Sequence, residues 1–260
     1  MNTRRFGPDD VVPAAEIIRR GGLLGIPTET VYGLGANGLD PEAVANIFAA
    51  KGRPQDNPLI LHIPSSAWLE RYCRNIPDAA YALADRFWPG PLTMILERGD
   101  MVPDVVTAGL DTVGMRCPAH PVCRAILTAA DLPVAAPSGN TSGRPSPTTA
   151  QHMLEDMDGK IDGIVDGGPC TVGVESTIID LTVMPPRLLR PGGVTLEDLR
   201  ETLGEVAVDQ AVRRLMGEGE HPRAPGMKYR HYAPKAPVTV VRGDPARGAD
   251  YIRTHLEEGD

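Results

Sequence analysis

The fold is decided by residues 27–63, which read PTETVYGLGANGLDPEAVANIFAAKGRPQDNPLILHI. The apolar run 22–26 precedes this stretch and ends at Pro27, which is typical of a buried strand. Such a strand would bring the polar residues 28–30 to the end of a sheet, where side chains face a cleft. We therefore predict that a functional site begins here.

Glycines and a helix signal follow this strand. Gly33, Gly35 and Gly38 predict sharp turns or a close approach of the backbone to a ligand. Asp40 is a typical N-cap residue ahead of a proline at the first helical position, and it predicts a helix that ends at Ala50.

Two cations and an imidazole complete the stretch. Lys51 and Arg53 follow the helix and alternate with a glycine and a proline, which cannot continue it. Two cations held in fixed positions indicate a polyanionic ligand. Residues 59–63 predict a second apolar strand, and we expect His62 near its end to return to the sheet edge that Thr30 occupies. A solvated cation pair and a hydrogen-bonded core histidine are the ordinary explanations of these residues taken singly. Their convergence with hydroxyls and glycines in one unit favours a site.

Composition limits the classes of function. The 260 residues, 42% of them apolar, can bury one large core, and the 28 glycines and 26 prolines fall between periodic segments as turns of a folded α/β chain. The net charge of -8 argues against a broad electrostatic grip on nucleic acid, although a local basic pocket stays possible.

The cysteines and the apolar runs bear on the cellular compartment. Cys73, Cys117, Cys123 and Cys170 have no C-x-x-C spacing and lie in apolar surroundings, which predicts reduced thiols in a cytosolic protein and no zinc site. Residues 1–7 lack an apolar signal core, and no run reaches the length that crosses a membrane.

Further polar residues stand near the ends of other predicted strands. Arg116 lies close to the end of strand 112–118, a position that alone would indicate only a surface ion pair. Strand 132–136 runs into the loop PSGNTSG, residues 137–143, whose hydroxyls, amide and glycines are typical of a nest that holds phosphate oxygens. The chain has neither G-x-x-x-x-G-K-[ST] nor a G-x-G-x-x-G that opens a helix after a strand, so Walker and Rossmann nucleotide binding are disfavoured.

A linker and the start of a second domain are predicted after a helix at 195–203, which closes the first domain near residue 205. Residues 206–235 lose the apolar pattern and interleave cations with tyrosines, so we predict an ordered linker whose part 225–232 closes over the cavity as a lid. A strand at 238–241 and a helix at 249–256 form too small a unit to bury much surface alone.

The stretch 27–63 and the later loops closely resemble the signature of the YrdC-type family. These are the threonylcarbamoyl-AMP synthases that begin synthesis of the threonylcarbamoyl modification on the adenosine next to the anticodon of some tRNAs. The resemblance covers roughly residues 10–235 and matches the long, two-domain form of the family. It implies an α/β fold in which a YrdC-like twisted mixed β-sheet with flanking helices surrounds a deep cavity in a catalytic domain, residues 1–205. The linker and the start of a Rossmann-like C-terminal domain, residues 236–260, would follow, and we expect that second domain to be incomplete.

The resemblance also assigns site residues. Lys51 and Arg53 match the K-x-R phosphate binders and are the catalytic candidates, while Ser138 and Asn140 match the S-x-N motif. The other positions expected to line ATP are Asn57, Thr112, Ser146, Arg190 and Tyr232. The positions expected to hold threonine are Thr30, His62, Arg116, Ala136 and Ser176. Of the latter, the arginine would pair with the threonine carboxylate, and the alanine would contribute only backbone.

The implied reaction converts L-threonine, bicarbonate or CO2, and ATP into threonylcarbamoyl-adenylate and pyrophosphate. A carbamate of threonine would attack the α-phosphate, so the site must neutralise charge and align reactants. Mg²⁺ bridging the ATP phosphates is the expected cofactor, without an assigned protein ligand, because the chain shows no dense carboxylate cluster. The product would pass to a tRNA threonylcarbamoyl transferase complex. No membrane partner is expected, and direct binding of tRNA is left open.

Two other classes of protein fit part of this pattern. An RNA-binding module could recognise tRNA or double-stranded RNA through the cavity, but the acidic net charge and the lack of a basic stripe count against it. A carbamoyltransferase of the hydrogenase-maturation type performs related chemistry, but this chain lacks the acylphosphatase-like and zinc-finger regions of such proteins.

Overall fold

The computed structural model describes residues 2–212 and 239–255. The strands are β1 (Arg4–Phe6), β2 (Leu24–Ile26), β3 (Gly33–Asn37), β4 (Ile60–His62), β5 (Cys73–Arg74), β6 (Leu92–Arg98), β7 (Thr112–Arg116), β8 (Val134–Ala135), β9 (Gly163–Val165), β10 (Thr177–Asp180), β11 (Arg187–Arg190) and β12 (Ala207–Val208). The helices are α1 (Val11–Arg19), α2 (Pro41–Lys51), α3 (Leu69–Tyr72), α4 (Asp78–Phe87), α5 (Asp104–Thr107), α6 (Pro121–Ala130), α7 (Ala150–Met157), α8 (Leu196–Leu203) and α9 (Pro245–His255).

The strands form one mixed sheet. Their order is β1-β9-β2-β3-β8-β4-β7-β6-β10-β11-β12, with β5 paired to β6. The sheet contains parallel pairs such as β4 with β7 and antiparallel pairs such as β6 with β7. Helices α1 and α6 pack together over one set of buried apolar side chains, and a larger buried set includes residues of α2, α4 and α7. The α/β fold class expected from the sequence is therefore confirmed.

The register of the central strands brings distant polar residues together. His62 at the end of β4 lies opposite Arg116 at the end of β7, and Thr93 of β6 lies opposite Arg116 on its other side. The strand β8 runs antiparallel to β4, and Val134 lies opposite His62. The expectation that polar residues at separate strand ends share one region is met for His62 and Arg116.

The glycines after Pro27 have a different role from the predicted turns. Gly33 and Gly35 lie within β3, and a Cβ atom at Gly35 would come within 3.0 Å of the Val134 side chain on β8. Close packing of neighbouring strands therefore explains Gly35. Glycine disfavours strands in general, so the sequence pattern did not indicate β3.

Two further boundaries differ from expectation. Helix α2 ends at Lys51 and not at Ala50, and its C-cap Gly52 has a left-handed backbone with φ of 61°. Residues 239–241 form no strand, and α9 begins at Pro245. The predicted lid 225–232 lies outside the described residues.

Throughout 2–212 and 239–255, every helix is too short or too polar to span a bilayer.

We predict that His62 makes the fold sensitive to acid. Burial, and secondarily the charge of Arg116, lowers the pKa of His62 to about 3 from an ordinary 6.5. The unfolded chain therefore binds a proton at His62 near pH 6.5, whereas the folded chain leaves it neutral. The free energy of unfolding should fall as the pH falls from 6.5 towards 3, by about 1.4 kcal/mol for each pH unit in which only the unfolded state binds this proton.

Urea unfolding measured at several pH values across this window checks the prediction. The variant His62→Gln should show a weaker dependence of unfolding free energy on pH. The variant His152→Gln is the control, because His152 is exposed on α7. Equal pH dependence in the His62 variant and the wild-type chain would contradict the prediction.

Candidate active site

A cleft lies where β4, β7, β8 and the chain after β2 meet. It spans about 720 Å³ of space including its open mouth, and polar and charged side chains make up much of its lining. The sequence-predicted residues that line it are Thr30, Lys51, Arg53, His62, Arg116, Ala136, Ser138, Asn140, Ser176 and Arg190. Both predicted groups, for nucleotide and for threonine, thus contribute to one cleft.

Three of the residues predicted to line the nucleotide are absent from the described lining of the cleft. Asn57 is buried beside it, and its main-chain oxygen accepts hydrogen bonds from the Arg53 guanidinium. Thr112 lies at the opposite end of β7 from Arg116, which is about 13 Å along a strand. Ser146 stands behind the wall and donates a hydrogen bond to Glu175. Tyr232 lies outside the described residues.

Other residues of the lining were not assigned to a substrate from the sequence. They are Thr28, Val31, Gly33, Ile60, Pro137, Ser142, Gly143 and Glu175. Of these, Gly33 was predicted to allow a sharp turn or a close approach to a ligand. Ser142 and Gly143 belong to the loop that the sequence indicated as a phosphate nest. Glu175 is the one carboxylate residue among the described lining residues, and its position directly before Ser176 was the available signal.

Lys51 connects α2 to the loop after β8. Its side chain is 2% exposed, and its Nζ donates hydrogen bonds to the main-chain oxygens of Ser138 and Asn140, each at 2.5 Å. The Ser142 amide in turn donates to the Lys51 carbonyl at 2.9 Å. Burial, and secondarily the charge of Arg53, lowers the pKa of Lys51 well below its ordinary value. The Lys51 side chain thus holds the loop in shape, and both Lys51 and the loop line the cleft.

Arg116 lies at the other end of the cleft. It forms an ion pair, but one of its N–H donors has no partner among the described residues. Its Nη2 donates to Glu29 Oε1 at 2.7 Å, and the Ala119 amide donates to Glu29 Oε2 at 2.9 Å. The Nε donor of Arg116 is buried and has no acceptor among the described residues. Since His62 beside it is neutral at ordinary pH, Arg116 is the charged group of this pair.

Hydroxyl groups surround this end of the cleft. Thr30 Oγ1 and Thr28 Oγ1 are 2.9 Å apart, and Ser176 Oγ lies 2.8 Å from Thr93 Oγ1. Arg190 Nη2 donates to the Ser176 hydroxyl at 3.2 Å and to its carbonyl oxygen at 2.9 Å. The hydroxyls are therefore held in fixed positions by neighbouring polar groups.

Comparisons with known proteins agree with this geometry. A family model described as telomere recombination matches residues 16–192, and one described as the C-terminal domain of threonylcarbamoyl-AMP synthase matches residues 194–259. The threonylcarbamoyl-AMP synthase of Pyrococcus abyssi is 54% identical over 246 residues, which are 94% of this chain and 70% of that protein. The synthase of Bacillus subtilis is 47% identical over 250 residues, covering 96% of this chain and 71% of that protein.

A solved structure extends the similarity to three dimensions. The crystal structure of P. abyssi Sua5 complexed with L-threonine superimposes with a TM-score of 0.93 at 50% identity, covering 98% of this chain and 75% of that one. The match therefore includes both the fold and the segments that form the cleft. On these grounds the chain belongs to the YrdC-type family of threonylcarbamoyl-AMP synthases.

Proposed function

We propose that the chain makes L-threonylcarbamoyl-AMP and pyrophosphate from L-threonine, bicarbonate or CO2, and ATP. This reaction would supply the threonylcarbamoyl group for the modified adenosine of tRNA. The observation that carries the proposal is a single cleft with two different ends. One end combines cations with a loop of small polar residues, and the other combines a buried arginine with hydroxyls and a neutral imidazole.

The end near Lys51 suits the triphosphate. Lys51 is hydrogen-bonded to the main-chain oxygens of residues 138 and 140, and Arg53 lines the same cleft. Arg190 adds another cation to the lining, from its position against Ser176. Charge-assisted hydrogen bonds to phosphate oxygens are the strong class of such bonds. The contacts of Lys51 with the loop carbonyls keep the loop in shape to present its donors.

The end near Arg116 suits the amino acid. The buried Nε of Arg116 provides a donor for the threonine carboxylate, and the hydroxyls of Thr30 and Ser176 provide partners for the threonine hydroxyl. The threonine complex of the P. abyssi relative supports this choice of amino acid.

The reaction needs alignment and charge neutralisation. The threonine amine adds to CO2 with loss of a proton, giving a carbamate. A carbamate oxygen then attacks the α-phosphorus of ATP, and the bond to the pyrophosphate leaving group breaks. Lys51, Arg53 and Arg190 would stabilise the negative charge that moves onto the phosphate oxygens.

Mg²⁺ fits this site as a partner of ATP. No three histidine, cysteine or carboxylate side chains among the described residues lie close enough to form a metal cluster, but Mg²⁺ is commonly held by nucleotide phosphates and one or two carboxylates. Glu175 is the carboxylate that lines the cleft and could take that place. The ion would neutralise part of the triphosphate charge.

The proposal extends to partners and compartment. The adenylate product would be transferred to a tRNA threonylcarbamoyl transferase complex in the cytoplasm. The four cysteines are free thiols, which is the usual state in that compartment.

The function is tested by pyrophosphate release with all three substrates and with each one omitted. The expected result is release that requires threonine, bicarbonate and ATP together, with threonylcarbamoyl-AMP detected by mass spectrometry. Pyrophosphate release that ignores threonine, or none at all, would overturn the proposal. RNA binding without release would support the RNA-binding alternative instead.

We predict that Arg53→Ala weakens ATP binding and leaves the fold intact. Arg53 is half-exposed, and its removal would delete charge-assisted contacts worth about 1.5 to 3 kcal/mol, or about 10- to 150-fold in dissociation constant. Calorimetric titration with ATP measures the change. Arg5→Ala is the matched control, because Arg5 is exposed on β1 outside the cleft lining. Equal ATP affinity in the Arg53 variant and the control would remove Arg53 from the site.

We also predict that the cleft prefers threonine over serine and rejects valine. Serine lacks the methyl group, which in a small pocket gives about 10- to 200-fold discrimination at most. Valine has the shape of threonine, but it would place a methyl group against fixed polar groups such as the Ser176 hydroxyl, where the threonine hydroxyl would make a hydrogen bond. Rates of pyrophosphate release with each amino acid decide the point, and equal rates with valine and threonine would contradict the assigned pocket.

A further inference from the structure

We propose that Glu29 is a positioning residue that fixes Arg116 for the carboxylate of the amino-acid substrate. This inference rests on the proposed function and adds a residue to it. Glu29 does not line the cleft, and it would act only through Arg116.

The contacts of Glu29 restrain both of its carboxylate oxygens. Oε1 accepts from Arg116 Nη2 at 2.7 Å, and Oε2 accepts from the main-chain amide of Ala119 at 2.9 Å. The main-chain oxygen of Glu29 accepts from the Val172 amide at 2.8 Å. The carboxylate therefore cannot rotate without breaking a contact to a separate segment of the chain, and it defines where Nη2 of Arg116 lies.

An unpaired donor of Arg116 indicates that the residue binds a ligand. An arginine carries five N–H donors, and the Nε–H of Arg116 is buried without an acceptor among residues 2–212 and 239–255. A buried unpaired donor is costly unless a ligand satisfies it. Since Arg116 also lines the cleft, a carboxylate that enters there would supply the missing acceptor.

Charge balance favours a zwitterion at this position. The side chains of Arg116 and Glu29 are 5% and 7% exposed, so the pair is buried and carries no net charge. A free amino acid, which is also neutral overall, adds a carboxylate and an ammonium without leaving a buried net charge. A phosphate group at the same place would add uncompensated negative charge, so Glu29 also helps to keep the triphosphate at the other end of the cleft.

The experiment compares Glu29→Ala, Glu29→Gln and the wild-type chain. Glutamine keeps the shape and an oxygen for Arg116 Nη2 but has no second acceptor for the Ala119 amide, so its effect should be intermediate. We expect the KM and the dissociation constant for threonine to rise about tenfold or more in the alanine variant and about threefold in the glutamine variant, with KM for ATP changed by less than about twofold. Asp180→Asn is the control, because Asp180 is a buried carboxylate of β10 that does not line the cleft.

The outcomes separate this proposal from the proposed function. Direct titration with threonine tests Glu29 even where turnover is slow, and the near-isosteric glutamine variant tests it if the alanine variant does not fold. Threonine affinity within about twofold of wild type in the glutamine variant and in a folded alanine variant would overturn the positioning role. Parallel losses for threonine and ATP would mark Glu29 as a purely structural residue and would also overturn it. Wild-type chain that binds threonine without forming the adenylate would overturn the proposed function alone, and wild-type chain that does not bind threonine would overturn both.

Discussion

The burial of positive charge is the constraint on which this structure depends. Taken as whole residues, Lys51 and Arg116 are 2% and 4% exposed, and an unpaired buried cation costs several kcal/mol. Lys51 donates to main-chain carbonyls of residues 138 and 140, and Arg116 forms an ion pair with the carboxylate of Glu29. Each partner comes from a segment far away in sequence. Pairing these cations therefore fixes the loops around the cleft, so that the same contacts hold the fold together and arrange the site.

The sheet topology determines the spacing of the two ends of the cleft. The parallel pair β4 and β7 puts His62 beside Arg116, whereas β8 runs antiparallel to β4 and leads in the opposite direction into loop 137–143. The Ala136 amide donates to the Ile60 carbonyl, two residues before His62 and about 7 Å along the strand. Mixed strand directions thus place the loop 137–143 and Arg116 at separate points along β4. An all-parallel arrangement would bring them to one edge of the sheet.

The sequence alone marked polar residues as site candidates where they directly follow or end an apolar run. Lys51 and His62 are marked by strong local patterns, and Arg116 became a site candidate through the family resemblance. The pairing of Arg116 with Glu29, 87 residues earlier, depends on strand order and register, so no local pattern could indicate it. The strand β3 was missed because its Gly35 serves packing between strands. The sequence predicted Lys51 in a loop, but it is the last residue of α2. The helix therefore fixes the direction of its side chain, which a loop would not do.

The cations of the cleft are held in place before substrates bind, and they stand out against the acidic character of the whole chain. The net charge is -8, yet the described cleft lining contains Lys51, Arg53, Arg116 and Arg190 against the single carboxylate of Glu175. Positive potential is therefore concentrated inside a concave site, where low dielectric strengthens it, while the acidic surface disfavours extended polyanions such as RNA. Because Lys51 and Arg116 are already held by protein groups, little reorganisation is needed when substrates bind. A compact polyanion together with a small zwitterion matches both the field and the geometry.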